Sequence, residues 1–374
     1  MTTKTRLVAS AAVGGLTVAL AWLAPADALS GGVSSADQVA ARGATPSDGR
    51  IAFTDYGSGV LTTVNPDGSA LVEVTDPASD GLVINRPTWM PGGHRLVYTA
   101  SRNGGDFTLY SIREDGTGRR VMVPNHGGFF DFSPAVSPNA RWLYFDRCRP
   151  DPPGGCGLFR ARTTGKPRLQ VVVPYPPLGK DFGVGFFAIS PNGKRLAFTR
   201  FNYHGIINQV WVGRADGSHA RPVTRPAAEL TVTSWTSRGR LVVNGPNAHP
   251  FNSVYLIRPD GGSRTLVVRP PLPHSDYFGA AGPSGTRVAF VSDVDFPDFS
   301  GTHVYAVDTD GSDLSLVDTG SDTVGAPAWG TAPLLPEARA TSRSHRSAAL
   351  TQHQRRALEA RIPSYLSGVL GPTR

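Results

Sequence analysis

The sequence predicts an all-β fold, a six-bladed β-propeller closed by a C-terminal strand that completes the first blade. Three observations carry this. A unit of two turns, each followed by a short apolar run, occurs six times. Its first strand recurs at spacings of 45, 47, 53, 45 and 47 residues. The first copy lacks a leading apolar strand, and a spare one follows the last copy, at Val324 to Gly330. A fixed period of roughly 40–50 residues with about four short strands per copy is the pattern of a propeller. A β-sandwich has no reason to repeat two turn chemistries in phase.

The best-formed copy runs from Ser190 to Ser218. Ser190-Pro191-Asn192-Gly193 opens it as a turn, because Pro presets φ and Gly supplies the left-handed position. Arg195 to Thr199 then reads as a buried strand, and Gln209 to Gly213 as a second. Ala215-Asp216-Gly217-Ser218 is the next turn, since Asp-Gly between apolar runs is a strong hairpin signal. The first-strand position is filled by Ile51-Ala52-Phe53, Leu96-Val97-Tyr98, Leu143-Tyr144-Phe145, Leu196-Ala197-Phe198, Leu241-Val242-Val243 and Val288-Ala289-Phe290. Apolar strands precede the later copies, around Trp89, Ala135, Phe187, Val232 and Ala280. Reading Val324 to Gly330 as the missing member closes the ring and removes the open edges of a linear array.

The pattern S-P-D/N-G-x-x-L-A-F, an aromatic-aliphatic strand and then D-G-S/T resembles the TolB-like (PD40, WD40-like) β-propeller repeat. It covers about Ser47 to Gly330. Asn139 and Asn192 stand where the motif has an acid, Asp48 keeps it, and the fifth copy has no Pro in its turn. The resemblance implies an envelope protein that works by protein interaction. The same repeat type builds the propeller of prolyl-oligopeptidase-type enzymes, which add a hydrolase domain with a G-x-S-x-G elbow. No such elbow occurs in this sequence.

The N-terminal stretch reads as export machinery. Lys4 and Arg6 precede an uncharged apolar run to Pro25, and Ala26-Asp27-Ala28 forms a cleavage site. Residues 1–28 are therefore expected to be a cleaved signal peptide, with an uncleaved anchor as the alternative. Residues 29–46 are small and polar and read as a flexible lead-in. The propeller is expected over 47–335 and a basic tail over 336–374. Of the formal net charge of +8, the tail carries about +5 and the presequence about +1. The propeller is left nearly neutral, so the basic composition gives no reason to expect nucleic-acid binding.

Few residues carry recognisable chemistry. Cys148 and Cys156 bracket a Pro- and Gly-rich loop between two strands. In an exported protein this pair reads as a disulfide, with a redox or metal site as the alternative. Asp293, Asp295 and Asp298 in the sixth copy are candidate Ca²⁺ ligands, although they lack the EF-hand spacing; the competing reading is ordinary turn chemistry, with no cofactor at all. His126, His204, His249 and His274 fall in loops where a propeller binds ligands, as do Phe129, Phe130, Phe182, Tyr203, Phe251 and Tyr277. These residues either form a binding face or sit as solvated or core-covering groups. The tail, with Ala348, Leu350, Ala357, Leu358 and Ile362 among Arg and Gln, reads as a weak basic helix or as disordered chain, and contact with an anionic envelope surface is one expectation. The function expected is a monomeric, secreted or extracytoplasmic, non-catalytic scaffold that binds a protein or small ligand on one face. The alternative is a propeller hydrolase or lyase with a metal in its channel. The two differ in whether His and Asp side chains, or apolar and hydroxyl ones, converge on that channel.

Overall fold

Six four-stranded antiparallel sheets are arranged as blades around a central channel in a computed structural model. The structure describes residues 48–336 apart from 102–106, 126–127, 150–154, 178–182, 203–207 and 249–250. The expected signal peptide, lead-in and all but the first residue of the tail lie outside the described residues, as do His126, His204, His249, Phe182 and Tyr203.

Blade 1 is built from both ends of the ring. Its inner strand is Ala328–Trp329, followed outward by Ile51–Asp55, Val60–Val64 and Val72–Glu73. Blade 2 comprises Leu82–Trp89, Arg95–Ser101, Thr108–Arg113 and Arg120–Val123. Blade 3 comprises Phe130–Val136, Trp142–Cys148, Cys156–Arg162 and Gln170–Val173. Blade 4 runs through Gly183–Ile189, Arg195–Phe201, Asn208–Arg214 and Arg221–Pro222. Blade 5 has Thr231–Trp235, Leu241–Ala248, Phe251–Ile257 and Thr265–Val268, and blade 6 has Asp276–Ala281, Arg287–Ser292, His303–Asp308 and Ser315–Val317. This connectivity puts the first-to-second and third-to-fourth turns on one face, the turn face. The second-to-third loops and the links between blades form the opposite, loop face.

The repeat exists because each motif residue has a local task. Asp67, Asp115, Asp216 and Asp310 each accept the backbone N–H and the hydroxyl of the Ser or Thr two residues on, at 2.6–3.0 Å. Asn139 and Asn192 do the equivalent work in the other turn, accepting the Ser hydroxyl before them and the N–H after them. The Gly after the acid has φ of 85° at Gly217 and 91° at Gly261. A Cβ at either position would also run into the outer strand of the preceding blade, at the carbonyls of Val172 and Val223. Gly is thus required twice, for its dihedral and for blade packing.

The core lies between blades. Alternate residues of each second strand face opposite neighbours: Ile51 and Phe53 pack against blade 6 with Ala289 and Val304, while Ala52 packs against blade 2 with Leu96 and Tyr98. Strands buried on both faces read as continuous apolar runs, which is why these were legible. Neighbouring blades are also stapled at a position three residues after the start of the apolar run, which is polar in five of the six repeats and Val291 in the sixth. Thr99 donates to the Asp131 carbonyl at 3.1 Å, and Thr199 accepts from Val232 N–H at 3.0 Å. Asn244 donates to the Asp276 carbonyl and accepts from Gly279 N–H, at 3.1 and 3.3 Å.

Ring closure follows the expected C-terminal strand. Ile51 and Ala52 pair with Trp329 and Ala328. The Trp329 indole donates to Gly49 O at 2.7 Å, Arg50 N–H to Ala332 O at 3.1 Å, and Asn65 exchanges two hydrogen bonds with Leu335. Gly330 packs directly on the Trp89 ring, leaving no room for a side chain.

Candidate functional site

The channel is shaped by a defect shared by five inner strands. Pairing between the first and second strands slips between Ile84 and Thr88, Phe132 and Ala135, Gly185 and Phe187, Val232 and Ser234, and Tyr277 and Ala280. Extra residues at such bulges re-aim side chains. Three of them hold positive φ, Ser133 at 50°, Phe186 at 47° and Phe278 at 54°. Non-Gly residues adopt this conformation at a cost of about 1–3 kcal/mol each, and such strain concentrates at sites that use it.

Bulge residues of blades 4 and 6 meet, and one from blade 2 reaches across to blade 5. Phe186 and Phe278, from blades separated by blade 5, stack at 6.3 Å with an interplanar angle of 18°. Arg86 reaches from blade 2 to the carbonyl of Thr233, the bulge residue of the opposite blade 5, at 2.5 Å. Between this level and the turn face lies a cavity of about 190 Å³. Its lining residues are mostly apolar, among them Trp89, Trp235, Trp329, Val136 and Phe187, although more of the surface they present to it is polar than apolar. Thr88, Thr233 and Ser234 add hydroxyls, and Arg86 is the one charged residue among those lining it. The indole N–H of Trp235 is shut off from solvent and has no hydrogen-bond partner.

Arg86 is coupled to a buried acid. Asp146, on the second strand of blade 3, occupies the blade-stapling position that Thr99 and Thr199 hold elsewhere. It is 5 % exposed, and its Oδ1 has no hydrogen-bond partner. Burial pushes its carboxyl well above the ordinary range, against a hydrogen bond from Ser133 and the charge of Arg86. Burial likewise lowers the Arg86 guanidinium to about 10, opposed by Asp146. Arg86 still carries its proton at neutral pH, so the ceiling of the cavity is cationic. Nearby, Arg147 forks onto Asp131 with two 2.7 Å bonds inside blade 3. None of these residues was singled out from sequence. The available signal was a charged residue inside an apolar inner strand, as in Leu82–Trp89 and Phe130–Val136.

The expected Ca²⁺ ligands point to separate partners. Asp293 accepts Ser275 N–H at 2.8 Å and faces His274 at 3.2 Å. Asp295 contacts His303 at 2.7 Å and the Tyr305 hydroxyl at 2.6 Å. Asp298 accepts Ser300 N–H. Among the described residues no group of three or more His, Cys, Asp or Glu is placed to hold a metal ion. Asp276, beside Asp293, is raised to about 7 by burial, with a hydrogen bond from Ser292 opposing and Asp293 reinforcing the shift. It is 1 % exposed, which puts its proton inside the blade. Of the loop aromatics, Phe130 covers the core against Phe107 and Phe132, Phe129 packs between Arg147 and Tyr175, and Tyr277 packs on the blade 1–blade 6 core.

Cys148 and Cys156 form a disulfide and sit directly opposite each other on adjacent strands of blade 3. The bond ties together the two strands that flank the Pro- and Gly-rich loop.

The fold is shared with solved structures. No protein-family model matches the chain, and no curated protein matches it. Among solved structures it is similar to TolB from Acinetobacter baumannii, with a TM-score of 0.60 and 16 % identity over 76 % of this chain and 67 % of that one. It is similar to a putative TolB from Agrobacterium tumefaciens, with a TM-score of 0.53 and 17 % identity over 76 % and 93 % of the two chains. A chain of a nidogen/laminin complex matches with a TM-score of 0.57 and 10 % identity over 75 % and 98 %. At such identities the likeness is one of fold.

Proposed function

We propose that this chain is an exported TolB-like propeller of the PD40 repeat type. In this reading it acts as a monomeric, non-catalytic scaffold in the cell envelope or outside the cell, where it binds a protein or small ligand. The observation that carries the reading is the channel cavity, where apolar and hydroxyl side chains converge beneath a single guanidinium. Such a lining recognises rather than transforms: the aromatic side chains pack against an apolar group, and Arg86 offers hydrogen bonds to an acceptor. At about 190 Å³ the cavity suits one acidic side chain, a chain-terminal carboxylate or a small acid. The disulfide fits an oxidising compartment, as does the signal-like presequence. The reading involves neither nucleic acid nor a resident metal.

The test is capture from the envelope fraction with immobilised protein spanning 29–374, beside the same protein carrying Arg86→Leu. A partner retained by the native chain and lost by the variant supports the reading. Stoichiometric metal in the purified protein, or turnover of ester, peptide or uronate substrates that chelation abolishes, favours the enzyme instead. Calorimetric titration with Ca²⁺ checks the blade 6 carboxylates, and a one-to-one heat signal would add a metal to the account.

A further inference from the structure

We infer that the turn face of blades 3 and 4 docks on an anionic phospholipid surface. The near-neutral charge of the propeller hides a strong segregation. Blade 3 presents Arg141, Arg160, Arg162, Lys166 and Arg168 at its turn-face ends. Blade 4 adds Lys194, Arg195, Arg214 and Arg221. The only carboxylate on the turns of these two blades is Asp216, whose Oδ1 already accepts the Ser218 N–H and hydroxyl. The two blades form one surface, because Arg160 and the Tyr144 hydroxyl both donate to Ala215 O, at 3.3 and 2.8 Å. The contrast is local to these two blades: the turns of blades 1, 2, 5 and 6 expose Asp67, Asp115, Asp260, Asp310 and Asp313, and the loop face exposes Asp295, Asp298, Asp318 and Asp322 in blade 6 and its link to blade 1.

Three features favour a membrane over other anions. The cations are spread over the turn-face ends of two adjoining blades, which suits an array of phosphates. Seven of the nine cations are Arg, which forks onto phosphate oxygens where Lys acts as a point charge. Arg160 and Arg162 also hold Trp142 between them, at 4.3 and 4.1 Å, and place an indole at the level of the charged rim. Finally, the chain leaves the propeller on this same face, where Leu335 is bound to Asn65, so the arginines that follow it in sequence start from the surface that carries the patch. Several basic residues near an anionic leaflet give binding that falls with ionic strength. The inference does not need an occupied channel, so vesicle binding and partner capture can fail separately.

The experiment is co-sedimentation of the 29–374 protein with vesicles of phosphatidylcholine alone or mixed equally with phosphatidylglycerol. The expected result is retention on the mixed vesicles only, released by about 1 M salt. The quadruple variant R141E/R162E/R168E/R221E should bind at least tenfold more weakly, and the loop-face pair R225E/R269E should bind like the native protein. If the quadruple variant does not fold, R141Q/R168Q carries the comparison, with a smaller loss expected. Neutralising the tail through R355Q/R356Q/R361Q should leave most of the retention in place. Equal retention of native and patch variants overturns the inference, as does loss of all retention in the tail variant. Binding of duplex DNA or polyphosphate without vesicle retention also overturns it.

Discussion

Arg86 and Asp146 form the residue pair on which the channel depends. Both are drawn towards their neutral forms by burial, and each is held by the other's charge. Removing one partner strands the other, which typically costs about 3–5 kcal/mol, whereas removing both costs far less. Arg86→Leu should therefore lower unfolding stability by about 3 kcal/mol, and adding Asp146→Asn should recover most of it, as read by urea titration. A loss in the double variant equal to that in the single one sinks the coupling. Asp276 makes a prediction about pH. Its carboxyl titrates near 7 when folded, against 3.8 for the ordinary group, so between these values the folded chain holds a proton that the unfolded chain has released. The associated stability is full below the unfolded value and is lost as pH rises through about 7. Native protein should be less stable to unfolding at pH 8 than at pH 5 by on the order of 1–4 kcal/mol from this group, as read by urea titration, and Asp276→Asn should shrink that gap.

At the scale of the element, each blade is a sheet that cannot bury its faces alone, and the stapling position fixes how one blade meets the next. Asn244 is the clearest case, with one hydrogen bond given to blade 6 and one received from it. Asn244→Leu keeps the volume and leaves the Gly279 N–H and the Asp276 carbonyl unpaired, at an expected cost of about 2 kcal/mol. Denaturant unfolding checks this, and an unchanged midpoint would remove the staple from the account. The strands themselves were legible in the sequence because their apolar runs and turn residues are local signals. The staples were not, because a Thr or Asn inside an apolar run shows its partner only once the next blade is in place. The channel shares this opacity. Bulges leave little trace in periodicity, so Phe186 and Phe278 read as ordinary core, and the charge at Arg86 had no neighbour in sequence to explain it. The blade 6 carboxylates show the converse, since Asp293, Asp295 and Asp298 are close along the chain yet each bonds to different partners.

For the whole molecule, the ring depends on a short strand supplied from its far end. Trp329 joins the core between blades 1 and 6, and its indole bonds to Gly49. Trp329→Ala removes a large buried side chain and one of the links that close the ring, and should cost about 3–5 kcal/mol, seen as a fall in the melting temperature. A variant that melts like the native protein would mean that the seam is held elsewhere, as by Arg50 and Asn65.

The closing hydrogen bond between Trp329 and Gly49 spans 280 residues of sequence. Contacts so distant are reached last, because the intervening chain must be ordered first. Blades 2 to 6 can each form as soon as their own strands exist, but blade 1 has to wait with its second strand uncovered until the final one arrives. An unfinished ring therefore offers a bare strand edge to any neighbouring chain, and this interval is when the protein is most exposed to mispairing.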